Sequence, residues 1–244
     1  MSETKTALII GAGDDTGTAI ARAFAAAGLH AVLVRRPRHA DKLEAAAQAI
    51  RDMGFSATAM PCDARDEVAV AKLVSDVEAG IGPIDAAIFN IGANVNFSIT
   101  ETTPRVYRKV WEMAAFAGYL MAHNVARHMI ARGRGTMIFT GATASVRGGK
   151  GYAAFAGAKH ALRALAQSCA RELGPQNVHV AHVLIDGMID SRFIRDNVSI
   201  VDDLRAQDAI LSPDAIAQNY VHLHEQERSA WTFELDLRPY AETW

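Results

Sequence analysis

The chain has little cysteine and no metal-binding spacing, and both scarcities exclude classes of protein. Its two cysteines, Cys62 and Cys169, show no paired spacing, so neither a disulfide framework nor a cysteine-based metal knuckle is expected. The histidines stand at no glutamate- or cysteine-linked ligand spacing, and we predict no metal site. This cysteine usage fits a reducing cytoplasm best.

Neither net charge nor hydropathy points to a nucleic-acid or membrane partner. The 25 basic and 27 acidic side chains leave a formal net charge of -2, which gives no electrostatic footprint for an anionic polymer or lipid. No stretch approaches the roughly 20 apolar residues that span a bilayer, and the apolar run near the start is too short for a secretory core. We therefore expect a cytoplasmic protein.

Short runs rich in Val, Ile and Leu alternate with alanine-rich stretches of helical period. This alternation is typical of an α/β fold with a parallel sheet covered by helices on both faces. Without repeats or a Pro/Gly/Ser-rich linker, residues 1–244 are expected to form one domain. We predict seven strands, near residues 5–10, 31–35, 56–60, 84–89, 135–140, 178–185 and 231–237. We predict helices near residues 16–28, 40–53, 66–80, 104–131, 152–173 and 213–226.

Two regions stand out from this alternation. The stretch 187–211 has mixed charge and weak period and follows a predicted strand end, where ligands of open α/β sheets bind. We interpret it as a substrate lid, with a plain surface insertion as the alternative.

The long helices around Trp111 and Leu162 carry more apolar surface than one sheet face should cover, which favours a homodimer or homotetramer. The alternative is that both helices are buried within one subunit.

A glycine-rich turn joins the first predicted strand to the first helix. Gly11 would allow a tight turn, Gly13 a close backbone approach and Gly17 close packing of helix on strand. Free N–H groups at the helix start would face a pyrophosphate. In this strand–turn–helix context the motif predicts a doubly wound, Rossmann-type domain that binds a dinucleotide.

The end of the second predicted strand bears on cofactor choice. It carries no acid to accept hydrogen bonds from an adenosine ribose, but it carries Arg35 and Arg36. Guanidinium groups pair well with phosphate, so NADP is favoured, with NAD or a solvated basic loop as the alternatives. Asp14 would be an unfavourable neighbour for that phosphate.

From residue 6 to about residue 238 the order of these motifs resembles the short-chain dehydrogenase/reductase family. The resemblance implies hydride transfer between a nicotinamide cofactor and a small carbonyl or alcohol substrate. Gly11 and Gly17 match the first and last glycines of the family's turn, but Asp15 replaces the middle one. We interpret Asp14 or Asp15 as the helix N-cap, since carboxylates favour helix starts.

The resemblance assigns further cofactor contacts. Asp63 matches the residue that hydrogen-bonds the adenine edge, and Asn90 and Gly92 match the loop on the adenosine side. Gly187 and Ser191 match the turn and hydroxyl near the nicotinamide amide, although Asp186 replaces the turn's proline. The last strand lies at a dimer contact in the family, so the aromatic tail 240–244 is expected to reach a neighbouring subunit.

The catalytic positions depart most from the family. Its Tyr-x-x-x-Lys pair is represented by Phe155 and Lys159, which removes the proton donor and keeps the lysine that holds the nicotinamide ribose. The family serine falls on Ala142, with Thr143 adjacent as a substitute hydroxyl, and the family asparagine falls on Ala115. For Lys159 the alternative is a solvated helix lysine.

Tyr152 is the other candidate acid. It precedes Lys159 by seven residues, the Tyr-x6-Lys spacing found in bacterial enoyl-thioester reductases of the same superfamily. Two helical turns would put both side chains on one face, about 10 Å apart along the axis. The alternative is an aromatic that only packs at the helix start.

Three hypotheses follow. The first is an NADP-dependent short-chain reductase or dehydrogenase that takes its proton from Tyr152, a threonine or water. The second is an enoyl-thioester reductase that uses Tyr152 and Lys159. The third is a non-catalytic NADP-binding oligomer, motivated by the joint loss of tyrosine, serine and asparagine.

Overall fold

The computed structural model of the protein describes residues 4–242 and contains one seven-stranded sheet with the order β3-β2-β1-β4-β5-β6-β7. All of its strand pairs are parallel. The strands are β1 (Thr6–Ile10), β2 (His30–Arg35), β3 (Ala57–Pro61), β4 (Ile84–Phe89), β5 (Thr136–Thr140), β6 (His179–Ile185) and β7 (Glu234–Leu237). The order reverses between β1 and β4, which creates the crevice where doubly wound sheets bind ligands. The predicted fold class is confirmed.

Helices lie close to the predicted ranges, and additional ones occur in the stretch 187–211. They are α1 (Thr16–Ala26), α2 (Ala40–Asp52), α3 (Glu67–Gly80), α4 (Pro104–Trp111), α5 (Ala117–Arg132), α6 (Ala153–Leu173), α7 (Arg192–Asn197), α8 (Val201–Ala206) and α9 (Pro213–Glu225). Between α4 and α5 a π-helical turn, Glu112–Phe116, interrupts the predicted long helix. There the Ala117 N–H donates to the Glu112 carbonyl, five residues back.

The strands are buried on both faces because helices cover both. Leu8 and Ile10 of β1 point to a core that includes Phe89 and Leu162. Ile9 points to the opposite core, with Phe24 of α1 and others. This alternation follows from the two-residue period of a strand. The carboxyl ends of β1, β4, β5 and β6 are thereby held side by side at one edge of a rigid sheet.

The stretch 187–211 is more regular than its sequence indicates, since it contains both α7 and α8. An isolated parallel bridge joins Ile189 to Leu211. The Asp190 carboxylate accepts from the guanidinium of Arg195 at 3.1 Å and from that of Arg205 at 2.7 Å. Through these ion pairs Asp190 links the two short helices. Sequence periodicity does not indicate such contacts.

The two helices that suggested oligomerisation differ in their surroundings. Leu162 of α6 is fully buried inside the subunit, so its apolar surface needs no partner chain. Trp111 and Tyr119 remain 42% and 45% exposed, and the ring of each stacks with that of Phe116. In the predicted tail Tyr240 is exposed, while Thr243 and Trp244 lie outside the described residues.

Within residues 4–242 no helix is long and apolar enough to cross a membrane. The same residues contain no group of three or more His, Cys, Asp or Glu side chains that could hold a metal ion.

Candidate active site

The turn between β1 and α1 needs glycine at two positions for steric reasons. Gly11 has a φ of +100°, and a Cβ there would lie 2.7 Å from the backbone carbonyl carbon of Asn90. A Cβ at Gly17 would lie 2.3 Å from the Gly11 carbonyl oxygen. At Gly13 a Cβ would meet nothing within 4 Å. Gly11 and Gly17 thus shape the turn, whereas Gly13 leaves open space above it.

The N-cap interpretation of the two acids is confirmed for the position of Asp15 but is wrong for its side chain. Asp15 occupies the cap position without a side-chain cap hydrogen bond. Its carboxylate accepts instead from the Arg192 backbone N–H at 2.9 Å and the Arg195 guanidinium at 3.0 Å, both on α7. The Asp14 carboxylate lies 2.5 Å from the Arg35 guanidinium. Charge-assisted bonds to guanidinium groups have displaced the weaker backbone cap.

A cavity of about 240 Å³ lies beyond this turn, at the ends of β1 and β2. It brings together seven predicted cofactor residues: Gly11, Gly13, Arg35, Arg36, Asp63, Asn90 and Gly92. The Asp63 carboxylate is held by the Arg65 guanidinium at 2.9 and 2.6 Å. Sequence reasoning missed Arg65, although it stands two residues after Asp63.

The arginines of this smaller cavity differ in their pairing. Arg35 is bound to Asp14, which lowers the pKa of that carboxyl even though partial burial acts in the other direction. The guanidinium of Arg36 makes no hydrogen bond or ion pair with any residue between 4 and 242. Partial burial, and then the charges of Arg38 and Arg65, lower the pKa of Arg36. The charge of Asp63 opposes this shift without reversing it, so an anion bound beside Arg36 would meet a net positive field.

A second, larger cavity of about 780 Å³ adjoins the first, and Asn90 and Gly92 line both. It brings together the remaining predicted site residues except Gly17: Thr143, Tyr152, Lys159, Gly187 and Ser191. Phe155 is nearly buried on its wall. The Asn90 side-chain amide donates to the Gly11 carbonyl at 3.2 Å, so the junction of the two cavities is fixed to the glycine turn.

Lys159 lies at the base of the larger cavity and is only 1% exposed. Its ammonium donates to the carbonyl oxygens of Ile91 at 3.1 Å and Thr140 at 2.7 Å. It also lies 5.9 Å from the centroid of the Phe155 ring. Burial lowers the pKa of Lys159 to about 7. The alternative of a solvated helix lysine is therefore wrong.

Tyr152 both packs and faces the cavity. It precedes the first residue of α6 as the N-cap, with φ -110° and ψ 21°, and its carbonyl accepts the first hydrogen bond of the helix, from the Ala156 N–H. Its side chain and that of Lys159 both line the larger cavity. The ring packs against the small buried cluster of Ala144, Phe155 and Ala156, while the hydroxyl makes no hydrogen bond to the described residues 4–242.

Thr143 has a partner that sequence reasoning did not assign. Its hydroxyl donates to the Asp186 carboxylate, and the Arg238 guanidinium lies 3.5 Å from the other Asp186 oxygen. An ionised carboxylate only accepts hydrogen bonds, so the Thr143 oxygen presents lone pairs to the cavity. An acid where the family has proline was the one available signal.

Gly187 and Ser191 serve the backbone around the cavity mouth. Gly187 has a φ of +144°, and a Cβ there would lie 2.7 Å from the Pro239 ring. The Ser191 hydroxyl accepts from the Ile194 N–H at 3.3 Å and so caps α7.

A buried histidine lies directly beneath the site. The Nδ1 of His182 is 2.9 Å from the Glu234 carboxylate, which the Arg163 guanidinium also contacts at 2.6 Å. The His182 Nε2 has no hydrogen-bond partner among the described residues, and a Cβ at Gly141 would lie 2.3 Å from it. Burial, opposed in part by Glu234, lowers the pKa of His182 to about 4.

Solved structures similar to this chain share its architecture. A short-chain dehydrogenase from Rhodopseudomonas palustris is 45% identical, with a TM-score of 0.83 over 97% of this chain and 99% of that one. A metagenomic short-chain oxidoreductase in complex with NADP is 25% identical, with a TM-score of 0.79 over 96% of this chain and 97% of that one.

Sequence comparison leads to the same group. A fatty acyl-CoA reductase from Acinetobacter baylyi is 28% identical over 181 residues, which are 73% of this chain and 61% of that protein. The match thus spans less than two thirds of that relative's length. A family model described as short chain dehydrogenase matches residues 5–199. The chain therefore belongs to the short chain dehydrogenase family of oxidoreductases.

Proposed function

We propose that the protein is an NADP-dependent oxidoreductase that transfers hydride between the cofactor and a small carbonyl or alcohol substrate. The observation that carries this proposal is the junction of two cavities at Asn90 and Gly92, with Lys159 buried at the base of the larger one. A dinucleotide needs such a divided site at the topological switch point of the sheet.

The residues of the smaller cavity fit the phosphate end of NADP. The space above Gly13 admits a pyrophosphate, and Arg36 has a guanidinium without a partner among residues 4–242 for a 2'-phosphate. Asp63, held by Arg65, faces the adenine side. A similar short-chain oxidoreductase is known in complex with NADP.

The residues of the larger cavity fit the nicotinamide end. Lys159 holds the ribose, and Gly187 and Ser191 border the nicotinamide amide. The cofactor supplies the hydride. Phe155 provides an apolar wall that excludes water beside the reacting carbon.

Tyr152 is the better proton donor of the two hydroxyl candidates. When the substrate carbonyl carbon accepts hydride, its oxygen becomes an alkoxide and needs a proton. The Tyr152 hydroxyl is not engaged by residues 4–242, whereas the Thr143 proton is already donated to Asp186. Tyr152 therefore protonates the alkoxide and is reprotonated from solvent, while Thr143 accepts a hydrogen bond from the hydroxyl group of the alcohol product.

One observation favours a second candidate, reduction of a double bond conjugated to a thioester. Tyr152 is the only tyrosine among the described residues that line the larger cavity, and it stands at the Tyr-x6-Lys position. Ala142 and Phe155 leave the usual carbonyl position without hydroxyl groups. A conjugated thioester demands less of the proton donor than a ketone does.

The test is consumption of NADPH over a panel of ketones, aldehydes and enoyl thioesters. Tyr152→Phe should lower kcat by about 10²- to 10⁴-fold, since it removes a positioned acid. Phe155→Tyr is the matched control, because it rebuilds the family's Tyr-x-x-x-Lys pair and should rescue ketone reduction in the Tyr152→Phe background.

The outcomes of this test are distinct. Turnover confined to enoyl thioesters would favour the second candidate. Unchanged turnover in Tyr152→Phe would remove both proposals that use this tyrosine. Tight NADPH binding without turnover on any substrate would leave the third hypothesis, a non-catalytic NADP-binding oligomer.

We further propose that the protein forms a homodimer or homotetramer. The exposed rings of Tyr107, Trp111 and Tyr119 support this, because they gather apolar area along α4 and α5. Light scattering of Trp111→Glu should show a smaller assembly than that of the wild type. Deletion of residues 240–244 tests the tail in the same way.

A further inference from the structure

The larger cavity is positively charged and otherwise mostly apolar. Among the described side chains that line it, two are cationic, Lys159 and Arg147, and none is a carboxylate. The whole chain carries a formal net charge of -2, so this sign is a local feature. It is the kind of environment that an anionic ligand recognises.

Lys159 is not the source of this preference. Both of its observed hydrogen bonds go to backbone carbonyls, those of Ile91 and Thr140, and the proposed function gives it to the nicotinamide ribose. The charge that faces the rest of the cavity is therefore that of Arg147.

Arg147 differs from the arginines around it. Arg35 and Arg65 are paired with Asp14 and Asp63 in the smaller cavity. In the stretch 187–211, Arg195 is paired with Asp15 and Arg205 with Asp190. The Arg147 guanidinium makes no hydrogen bond or ion pair with residues 4–242. Each cavity thus holds one guanidinium without an internal partner, Arg36 in the smaller and Arg147 in the larger.

The position of Arg147 relates it to the reacting group. Its backbone N–H donates to the carbonyl of Thr143 at 3.1 Å, so it follows the same short turn that carries the Thr143 hydroxyl. A substrate whose carbonyl faces Tyr152 would extend toward Arg147 with its remaining part.

The surface between these groups is apolar. Across the mouth, Phe193 of α7 is 71% exposed and Met188 is 38% exposed, and both line the cavity together with Ile185. Exposed apolar side chains around a cavity favour an apolar ligand body. The cavity volume of about 780 Å³ leaves room for such a body beside a nicotinamide.

We propose that the substrate is a keto acid, or the corresponding hydroxy acid, with an apolar body, and that Arg147 binds its carboxylate. This inference rests on the proposed function and adds the substrate class. A carboxylate fits better than a phosphate because its single charge matches one unpaired guanidinium, whereas a phosphate ester carries a charge of about -1.5 to -2 near neutral pH. The other nearby cation, Lys150, does not line the cavity.

The test compares a keto acid with its methyl ester, which has the same carbonyl and body but no charge. A series of aryl and alkyl keto acids and their esters is measured with NADPH on wild type, Arg147→Gln, Arg147→Lys and Lys150→Gln. Lys150→Gln is the matched control, since it removes an exposed cation three residues away.

Wild type should prefer the acid by about 10- to 100-fold in kcat/KM, mainly through KM. Arg147→Gln should abolish that preference and leave the ester unchanged, Arg147→Lys should restore part of it, and Lys150→Gln should change neither substrate. Equal use of acid and ester by wild type, or an equal loss of both in Arg147→Gln, would overturn the inference.

Failure of the proposed function is separable from failure of this inference. If no acid or ester is reduced, calorimetry measures binding of the free keto acid to wild type and to Arg147→Gln in the presence of NADPH. Binding that is lost in Arg147→Gln would retain the carboxylate site without the reductase activity. Absent or equal binding in both would reject the site.

Discussion

The two cavities of this protein differ in how their residues are constrained. Beside the smaller one, in the turn between β1 and α1, a Cβ at Gly11 or Gly17 would abut backbone atoms, so no other residue fits there without moving the chain. In the larger one, Ala142 and Phe155 line the open cavity. A substitution at a glycine pressed against backbone atoms destabilises the fold, whereas a substitution in a cavity wall changes the free energy of folding little. The scaffold can therefore persist while the chemistry changes.

The largest effect is expected at Gly17. Gly17→Ala should lower the free energy of unfolding by more than about 3 kcal/mol, because its Cβ would lie 2.3 Å from the Gly11 carbonyl oxygen. Gly13→Ala is the matched control and should change it by less than about 1 kcal/mol, since nothing lies within 4 Å. Denaturant unfolding without cofactor measures the stability of both variants. Similar losses of stability would contradict the assignment of Gly17 to the sterically tight part of the turn and of Gly13 to open space.

Beneath the larger cavity, His182 should make stability depend on acid. Its pKa is lowered to about 4 in the folded protein, first by burial, while in the unfolded chain it is about 6.5. Between these values the unfolded chain binds more protons, so stability falls as pH decreases from about 6.5 to 4, by up to about 3 kcal/mol.

The substitution His182→Asn should remove that share of the acid destabilisation. The lowered pKa values of His30, His179 and His224 leave a residual dependence. Exposed His222 is the control position, and His222→Asn should leave the pH profile as in wild type. Parallel profiles for His182→Asn and wild type would contradict the assignment.

In the smaller cavity, Arg36 and Arg35 should differ in their effect on the cofactor. Arg36→Gln should weaken NADPH binding by about 10- to 100-fold and leave NADH binding unchanged, because it removes a charged hydrogen bond to the 2'-phosphate. Arg35→Gln should weaken NADPH binding less, since Arg35 already neutralises Asp14. Fluorescence titration with both cofactors distinguishes them, and an equal loss for NADPH and NADH would exclude the phosphate role.

The smallest effect is expected at the ion pair that joins the glycine turn to α7. The Asp15 carboxylate, where the family has glycine, ties the turn to α7 through Arg195 at 3.0 Å. Exposed ion pairs contribute about 0.2–1 kcal/mol, so Asp15→Asn should speed NADPH release by about two- to five-fold in stopped-flow experiments. Asp202→Asn removes a carboxylate of α8 that touches only Arg205 and should leave release unchanged. A slower release of NADPH in Asp15→Asn would contradict the interpretation that the Asp15–Arg195 pair retains the cofactor.

The sheet, most helices and the glycine turn were predictable because their signals are local. Two-residue and helical periods repeat within a few residues, and Gly11 precedes Gly17 closely enough to be recognised as one motif. The side-chain partners were not predictable for the opposite reason. Asp15 meets Arg195 across 180 residues, and Thr143 meets Asp186 across 43. No neighbouring residue in the sequence indicates whether the Asp15 carboxylate caps its own helix or pairs with an arginine of a distant helix.

Burial was the second property that local pattern did not report. Lys159 carries an ordinary lysine sequence context, yet two carbonyls from β5 and the β4 loop surround its ammonium. Its lowered pKa results from that tertiary enclosure. Similarly, Arg147 and Lys150 look alike in sequence, and only the fold puts one of them on the cavity wall.

The π-helical turn Glu112–Phe116 makes the helix between α4 and α5 tolerant of a change in chain length. A π turn holds one residue more than an α turn of the same hydrogen-bonded ladder, so deletion of one residue there would restore regular winding. Because the bulge takes up the extra residue locally, the flanking segments would keep their orientation relative to each other. Such a deletion would leave the orientation of Trp111 relative to Tyr119 unchanged and would not touch either cavity's glycines, so it offers protein engineers a way to shorten this helix while its exposed aromatic surface is kept.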